Sequence, residues 1–347
     1  MKEILEKLFK GKDLSLEDLV FLIENRNEET ALLLSERARE IRETHYGKDI
    51  YIRALIEFSN YCKNDCYYCG IRKSNSHILR YRLSEEEILE SAKKAHGLGF
   101  RTFVLQGGED GHFTPERVET LIKEIKGRFS DSALTLSMGE QKREVYARWF
   151  SAGADRYLLR HETADEKHYS LLHPDSLSFS NRMRCLYDLK EIGFQVGCGF
   201  MVGSPFQTAE MIAKDLLFIK NFNPDMVGIG PFIPAKNTPF ECEKAGSVEL
   251  TLYLLSIIRI MLPLCLLPAT TALSTLDKEG LEKGILAGAN VIMPNLSPPS
   301  ARENYCLYEG KRYTDGENLD ILRNRMSKIG YEITTHRGDR KGFDINV

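Results

Sequence analysis

Three cysteines crowd into eight residues, Cys62, Cys66 and Cys69, in the run Cys-Lys-Asn-Asp-Cys-Tyr-Tyr-Cys. The C-x₃-C-x₂-C spacing puts three thiols on one short segment. Thiolates suit iron–sulfur clusters and zinc. A structural zinc site closes with four ligands, and no fourth Cys or His follows at zinc-ribbon spacing. Three thiolates on a four-iron cluster leave one iron open for a small molecule to chelate. The other five cysteines, at 185, 198, 242, 265 and 306, are scattered. They read as small buried hydrophobes.

The elements that position this segment follow from hydrophobic periodicity. Short apolar runs predict strands at 51–58, 101–106, 133–138, 155–160, 194–201, 225–230, 265–270 and 289–293. Amphipathic stretches between them predict helices. Ser84 with Glu87 forms a capping box, and Thr114-Pro115 gives an N-cap followed by proline. Further helices are predicted at about 140–152, 181–192, 208–221, 248–262 and 277–287. The alternation predicts an α/β fold of parallel units, and eight units match a closed (β/α)₈ TIM-type barrel over 50–300. An open doubly wound sheet is the alternative, but the first turn lacks G-x-G-x-x-G. Residues 1–49 predict an N-terminal helical extension, with Ser15 and Asp18 capping one helix. Residues 301–347 predict a C-terminal segment covering the barrel, with one short helix near 317–329 and then a polar end.

The cysteine segment follows the first strand, so it falls on the first βα loop, where barrel active sites are built. Side-chain alternation then gives the strands an unusual polar face. Arg53 and Glu57 share one face of the first strand, Thr135 and Ser137 of the third, and Arg156, Arg160 and Glu162 of the fourth. Buried parallel strands are normally apolar on both faces. A polar lumen implies a bound ligand or an internal ion-pair network.

Composition narrows the partners. The chain carries 47 basic and 50 acidic residues, without the basic surplus of a nucleic-acid binder. No apolar run reaches membrane-spanning length, and the N-terminus alternates charge with leucine. These features predict a cytoplasmic protein with no nucleic-acid or membrane partner and a small-molecule substrate.

With these residues in view, the motif after the first barrel strand resembles the signature of radical S-adenosylmethionine (SAM) enzymes. Gln106-Gly107-Gly108-Glu109-Asp110 is similar to that family's glycine-glycine-glutamate segment. The runs IRALIEFSNYCKNDCYYCGIRK, VLQGGED, AGADRYLLRHET, DMVGIGPFIP, LLPATTAL and ANVIMPN resemble the [FeFe]-hydrogenase maturase HydE family over nearly the whole chain. The resemblance implies one [4Fe–4S] cluster on Cys62, Cys66 and Cys69, with SAM on the open iron. It places Tyr68 near the adenine, Gln106, Gly107, Gly108 and Glu109 at the methionine end, Glu162 on the ribose and Arg182 on the carboxylate. Ser137 and Arg160 complete the cofactor set. It places Arg53, Thr135, Arg156, Thr270, Thr271, Met293 and Tyr305 at the substrate end, suited to an anionic ligand.

The implied activity is reductive cleavage of SAM to a 5′-deoxyadenosyl radical. That radical would act on an organometallic substrate, an iron–cysteine carbonyl–cyanide precursor of the hydrogenase H-cluster. A reductant such as ferredoxin or flavodoxin and other hydrogenase maturases are the implied partners. Some family members carry extra cysteines near the C-terminus. Residues 309–317 contain none, so a single cluster is expected. The rival enzyme is methylornithine synthase, PylB, which rearranges lysine. Biotin synthase would need a second cluster in the barrel, and an iron–sulfur electron carrier or scaffold would need neither Glu162 nor Arg182.

Overall fold

The computed structural model describes residues 1–343. Three helices, Lys2–Phe9, Leu16–Glu24 and Glu28–Tyr46, precede the first strand. The second begins at the expected capping box, in which Ser15 and Asp18 satisfy each other's amides. The strands are β1 (Asp49–Ile52), β2 (Ala54–Ser59), β3 (Thr102–Gly107), β4 (Ala133–Ser137), β5 (Arg156–Leu158), β6 (Gln195–Cys198), β7 (Met201–Val202), β8 (Met226–Val227), β9 (Gly230–Pro231), β10 (Val291–Ile292) and β11 (Glu332–Thr334).

Six strands form one parallel sheet in the order β2-β3-β4-β5-β6-β8. A second parallel sheet runs β10-β1-β11. The two approach each other through single bridges, Met226 to Leu266, Pro268 to Val291 and Leu55 to Asn295. The arrangement is of TIM-barrel type without a continuous ladder all the way round. The strand expected at 265–270 is reduced to these bridges, since Pro268 has no amide hydrogen to give. The helix expected at 277–287 is found at Gly280–Leu286, and a further short helix, Thr271–Leu276, precedes it. Asp277 turns the chain between them by accepting the Glu279 amide at 2.8 Å.

Helices such as Glu85–Gly97 and Pro115–Arg128 start at the expected caps, Ser84 with Glu87 and Thr114 with Pro115. Their apolar faces, Ile88, Ala92 and Ala95 in the first and Val118, Leu121, Ile122 and Ile125 in the second, are buried in the core. Among the described residues no helix is long and apolar enough to cross a membrane.

The C-terminal segment departs furthest from the sequence reading. Beyond the helix Leu319–Lys328, β11 adds a parallel strand beside β1. The chain then runs across the N-terminal ends of the barrel strands. The Arg337 carbonyl accepts from Thr102 at the start of β3. Asp339 accepts from Arg156 of β5 at 2.5 Å and from Gln195 of β6 at 2.7 Å. Arg340 reaches Asp225, beside β8, at 3.3 Å. Burial alone would raise the Asp339 carboxyl, but Arg156 and Arg337 outweigh it and hold it at about 2. The carboxylate that meets Arg156 is thus the chain's own Asp339, not the anionic ligand expected from the sequence.

Asp339→Ala leaves the Arg156 guanidinium buried beside a lost partner. It is expected to destabilise the fold by roughly 3–5 kcal/mol. Replacing both residues together, as Arg156→Met with Asp339→Leu, should cost much less. Urea unfolding of the three proteins measures this. The depressed carboxyl also sets a pH window: its contribution is complete above about 4 and is lost as pH falls toward 2.

Candidate active site

Because the strands are parallel, their C-terminal ends share one rim. The loop after β2 carries Cys62, Cys66 and Cys69. Residues without an evident chemical role in the sequence hold it in shape. Asn60 donates to the carbonyls of Leu79 and Asn304, both at 2.8 Å. Arg80 donates to the carbonyls of Ile71 and Arg72 at 2.9 and 2.6 Å. Asp65 accepts from Arg72 at 2.7 Å and from the Ser74 amide at 3.0 Å. The Arg72 guanidinium beside it holds the Asp65 carboxyl well below the usual range.

The loop after β3 packs directly against this one. A Cβ on Gly108 would lie 2.2 Å from the Tyr61 carbonyl oxygen and 2.7 Å from Cys62 Cβ. A Cβ on Gly107 would lie 2.6 Å from the Phe58 ring. The two glycines are therefore fixed by close approach. The same contact delivers the Glu109 amide to Cys62 Sγ at 3.4 Å, and the Asn64 amide arrives at the same distance. Two donors aimed at one sulfur favour its thiolate. Burial opposes that. It raises the Cys62 thiol, pushes Cys66 well up, and with the neighbouring Cys62 takes Cys69 to about 12. Ligation by a metal would displace those protons.

The remaining strand ends supply polar groups. Glu109 accepts the Glu140 amide at 2.9 Å and pairs with Lys63 at 3.0 Å. Glu140 grips Arg182 Nε at 2.5 Å, while Arg182 Nη1 donates to the Arg160 carbonyl at 2.6 Å. Arg182 comes from the first turn of the helix Phe179–Ile192. Arg160 Nη2 and Glu162 Oε2 lie 3.3 Å apart, yet neither atom completes a hydrogen bond within the protein. Tyr68 Oη lies 3.1 Å from His173 Nε2. Burial takes the His173 imidazole down to about 3, so it is neutral near pH 7.

The strand-end loops enclose one cavity of about 340 Å³. Its wall includes the three cysteines, Tyr68, Gln106, Gly107, Gly108, Glu109, Ser137, Arg160, Glu162 and Arg182. Thr270, Thr271, Met293 and Tyr305 line it as well. Arg53, Thr135 and Arg156 do not. They surround a separate void of about 10 Å³, and Leu158 and Met226 border both spaces. A void that small has room for about one water-sized particle. Within it Arg53 Nε and Nη2 and Thr135 Oγ1 lack partners. The cavity also contains a pair that was only half visible in the sequence. Lys311, from the C-terminal segment, meets Glu57, which also accepts from Asn295 at 2.7 Å. Of the scattered cysteines, 185, 198 and 265 are buried as expected, whereas Cys242 and Cys306 are exposed.

Three thiols on the wall of one cavity are a donor set of the kind that holds an iron–sulfur cluster. Among the described residues no three His, Cys, Asp or Glu side chains are placed to hold a single metal ion. The corners of an iron–sulfur cube are separate, so its thiolates need not converge on one point. The unpartnered Glu162 Oε2, Arg160 Nε and Nη2, and Thr270 Oγ1 fit a polar organic ligand in the same space.

Comparison with known proteins agrees with this geometry. Residues 56–219 match the radical SAM superfamily. The [FeFe] hydrogenase maturase subunit HydE of Thermotoga maritima is 47% identical over 312 residues, covering 89% of this chain and 88% of the relative. The chain belongs to the radical SAM superfamily, in the HydE family. It is a radical SAM enzyme, and that superfamily in general uses a [4Fe–4S] cluster and SAM. The 3-methylornithine synthase of Methanosarcina acetivorans is 31% identical over 329 residues, covering 94% of this chain and 92% of that protein. A solved structure of methylornithine synthase, PylB, superposes with a TM-score of 0.83 at 28% identity, covering 95% of this chain and 97% of that one.

Anaerobically reconstituted protein should hold about four irons. Replacing Cys62, Cys66 or Cys69 with Ala should abolish that content, whereas Cys198→Ala and Cys265→Ala should retain it. Gly108→Ala should lower it too, because the new methyl pushes on the cysteine loop. Iron analysis and the visible absorption of the cluster check all six variants.

Proposed function

We propose that this enzyme acts in [FeFe]-hydrogenase maturation, on an iron–cysteine carbonyl–cyanide precursor of the H-cluster. One observation carries the reading: cysteine loop, glycine pair, Glu162 and Arg182 line one cavity with a second group of polar and sulfur-bearing residues. When bound, a single [4Fe–4S] cluster and SAM supply an electron and a 5′-deoxyadenosyl radical.

The chain's own residues then have distinct tasks. Cys62, Cys66 and Cys69 are the ligands of the cluster. Glu162 offers an unpartnered carboxylate oxygen to the ribose hydroxyls. Arg182, with Nε and Nη1 engaged by Glu140 and Arg160, offers its remaining nitrogen to the SAM carboxylate. Gly107 and Gly108 would let the methionine end approach the backbone, Tyr68 would lie against the adenine, and Gln106, Glu109, Ser137 and Arg160 would border the cofactor. Thr270, Thr271, Met293 and Tyr305 form the wall facing the substrate. Enclosure keeps water and competing reactants from a radical. A ferredoxin or flavodoxin is the proposed reductant, other hydrogenase maturases are the proposed partners, and the cytoplasm is the proposed setting.

Lysine rearrangement is the second reading, favoured by the likeness to methylornithine synthase. The higher identity to HydE supports the first. Incubation with SAM, dithionite and each candidate substrate separates them. The iron–cysteine compound should stimulate 5′-deoxyadenosine formation and lysine should not; stimulation by lysine alone would overturn the maturase reading.

Glu162→Gln should retain iron and lose SAM affinity by about 1.5–3 kcal/mol, as for a hydrogen bond to a charged group. Calorimetric titration of SAM into the cluster-loaded variant reads this directly, and an unchanged affinity would remove Glu162 from the ribose site.

A further inference from the structure

Glu162 stands in the left-handed backbone region, with φ at +65°. That region is uncommon for residues other than glycine and needs support from the surroundings. The Glu162 amide donates to the Gly199 carbonyl at 3.0 Å, and a single parallel bridge joins Glu162 to Phe200. A second support comes from behind. His161 Nδ1 accepts the Gly199 amide at 3.2 Å. In a neutral ring the proton must then sit on Nε2, which lies 3.2 Å from Asp215 Oδ1 as a polar contact without hydrogen-bond geometry. The same oxygen accepts the Ala164 amide.

Asp215 belongs to the helix Ala209–Phe222. It therefore touches the chain on both sides of Glu162, at residues 161 and 164. Asp215 and His161 are fully buried, and neither lines the cavity. The imidazole packs against Phe200 and Phe218, with ring centroids 5.8 and 4.8 Å away. Burial takes it down to about 3, so its single donor is available throughout the neutral range. A carboxyl group sunk this deep is costly unless its bonds matter, and an apolar residue would fill the same space.

We propose that Asp215 is a positioning residue which, through His161 and the Ala164 amide, holds Glu162 in the conformation that aims its carboxylate into the SAM site. The proposal rests on the reading of Glu162 as the ribose acceptor.

Two substitutions test it on the reconstituted, cluster-loaded enzyme. Asp215→Leu fills the space but removes the acceptor for the Ala164 amide. His161→Phe fills the space beside Phe200 and Phe218 but removes the acceptor for the Gly199 amide and the polar contact with Asp215. Each should retain iron and the parent melting temperature while weakening SAM binding roughly tenfold, the lower end for loss of an orienting partner. In a Glu162→Gln background neither should weaken SAM binding further, because their effect passes through Glu162. Parent-like affinity in both, alongside weakened binding in Glu162→Gln, would overturn the proposal. A full additional loss in the Glu162→Gln background would do the same, since it marks general damage. Parent-like binding in Glu162→Gln alone would defeat the ribose reading and the proposal with it. If Asp215→Leu does not fold, His161→Phe decides by the same criteria; if neither folds, the pair is structural and the proposal fails.

Discussion

Charge inside a barrel with little water must be answered from within the chain. This constraint organises the molecule. The polar faces of the strands put Arg53, Glu57, Arg156 and Glu162 in the interior, and an ion without a partner there is costly. Asp339 answers Arg156, Lys311 and Asn295 answer Glu57, and Glu140 answers Arg182. The partners come from segments far from the strands they serve. Pairing thus ties the C-terminal segment and the rim loops to the barrel more specifically than apolar contact would. Polar atoms stay unspent in two places, on Arg53 and Thr135 beside the small void and on Glu162 and Arg160 near the thiols. Only the second pair lines the large cavity, the space kept for a ligand.

The cysteine loop shows how packing and chemistry share one set of contacts. The glycine pair allows two loops to touch backbone to backbone, and the same contact directs the Glu109 amide at a cysteine sulfur. Asn60 and Arg80 bind carbonyls that the loop cannot satisfy internally. Thiols, glycines and polar anchors therefore form one unit.

Legibility in the sequence followed the range of the interaction. Capping boxes at Ser15 and Ser84 act over three residues and were read correctly. Strand parity identified Arg53, Arg156 and Glu162 as inward residues, since alternation is local. It could not say which level of the lumen each occupies, and the structure leaves Arg53, Thr135 and Arg156 outside the large cavity. Asp339 lies 183 residues from Arg156, and no local pattern links them. The polar end hid a strand because β11 is short and only half-buried. His161 and Asp215 were missed for the same reason as Lys311: their roles arise only when separate elements meet.

The two reaches of the C-terminal segment have a consequence for the order of synthesis. Residues 305–311 contribute to the cavity on the cysteine side, and residues 337–340 cross the opposite end. The thiols are made early. The groups that answer Glu57 and Arg156 are made 254 and 183 residues after them. Until then the interior holds ions without partners, and the nascent barrel lacks part of the pairing that makes it one structure. Completion of the lumen is thereby coupled to synthesis of the C-terminal segment, and a message cut short of Asp339 yields a product carrying an open charge at its centre.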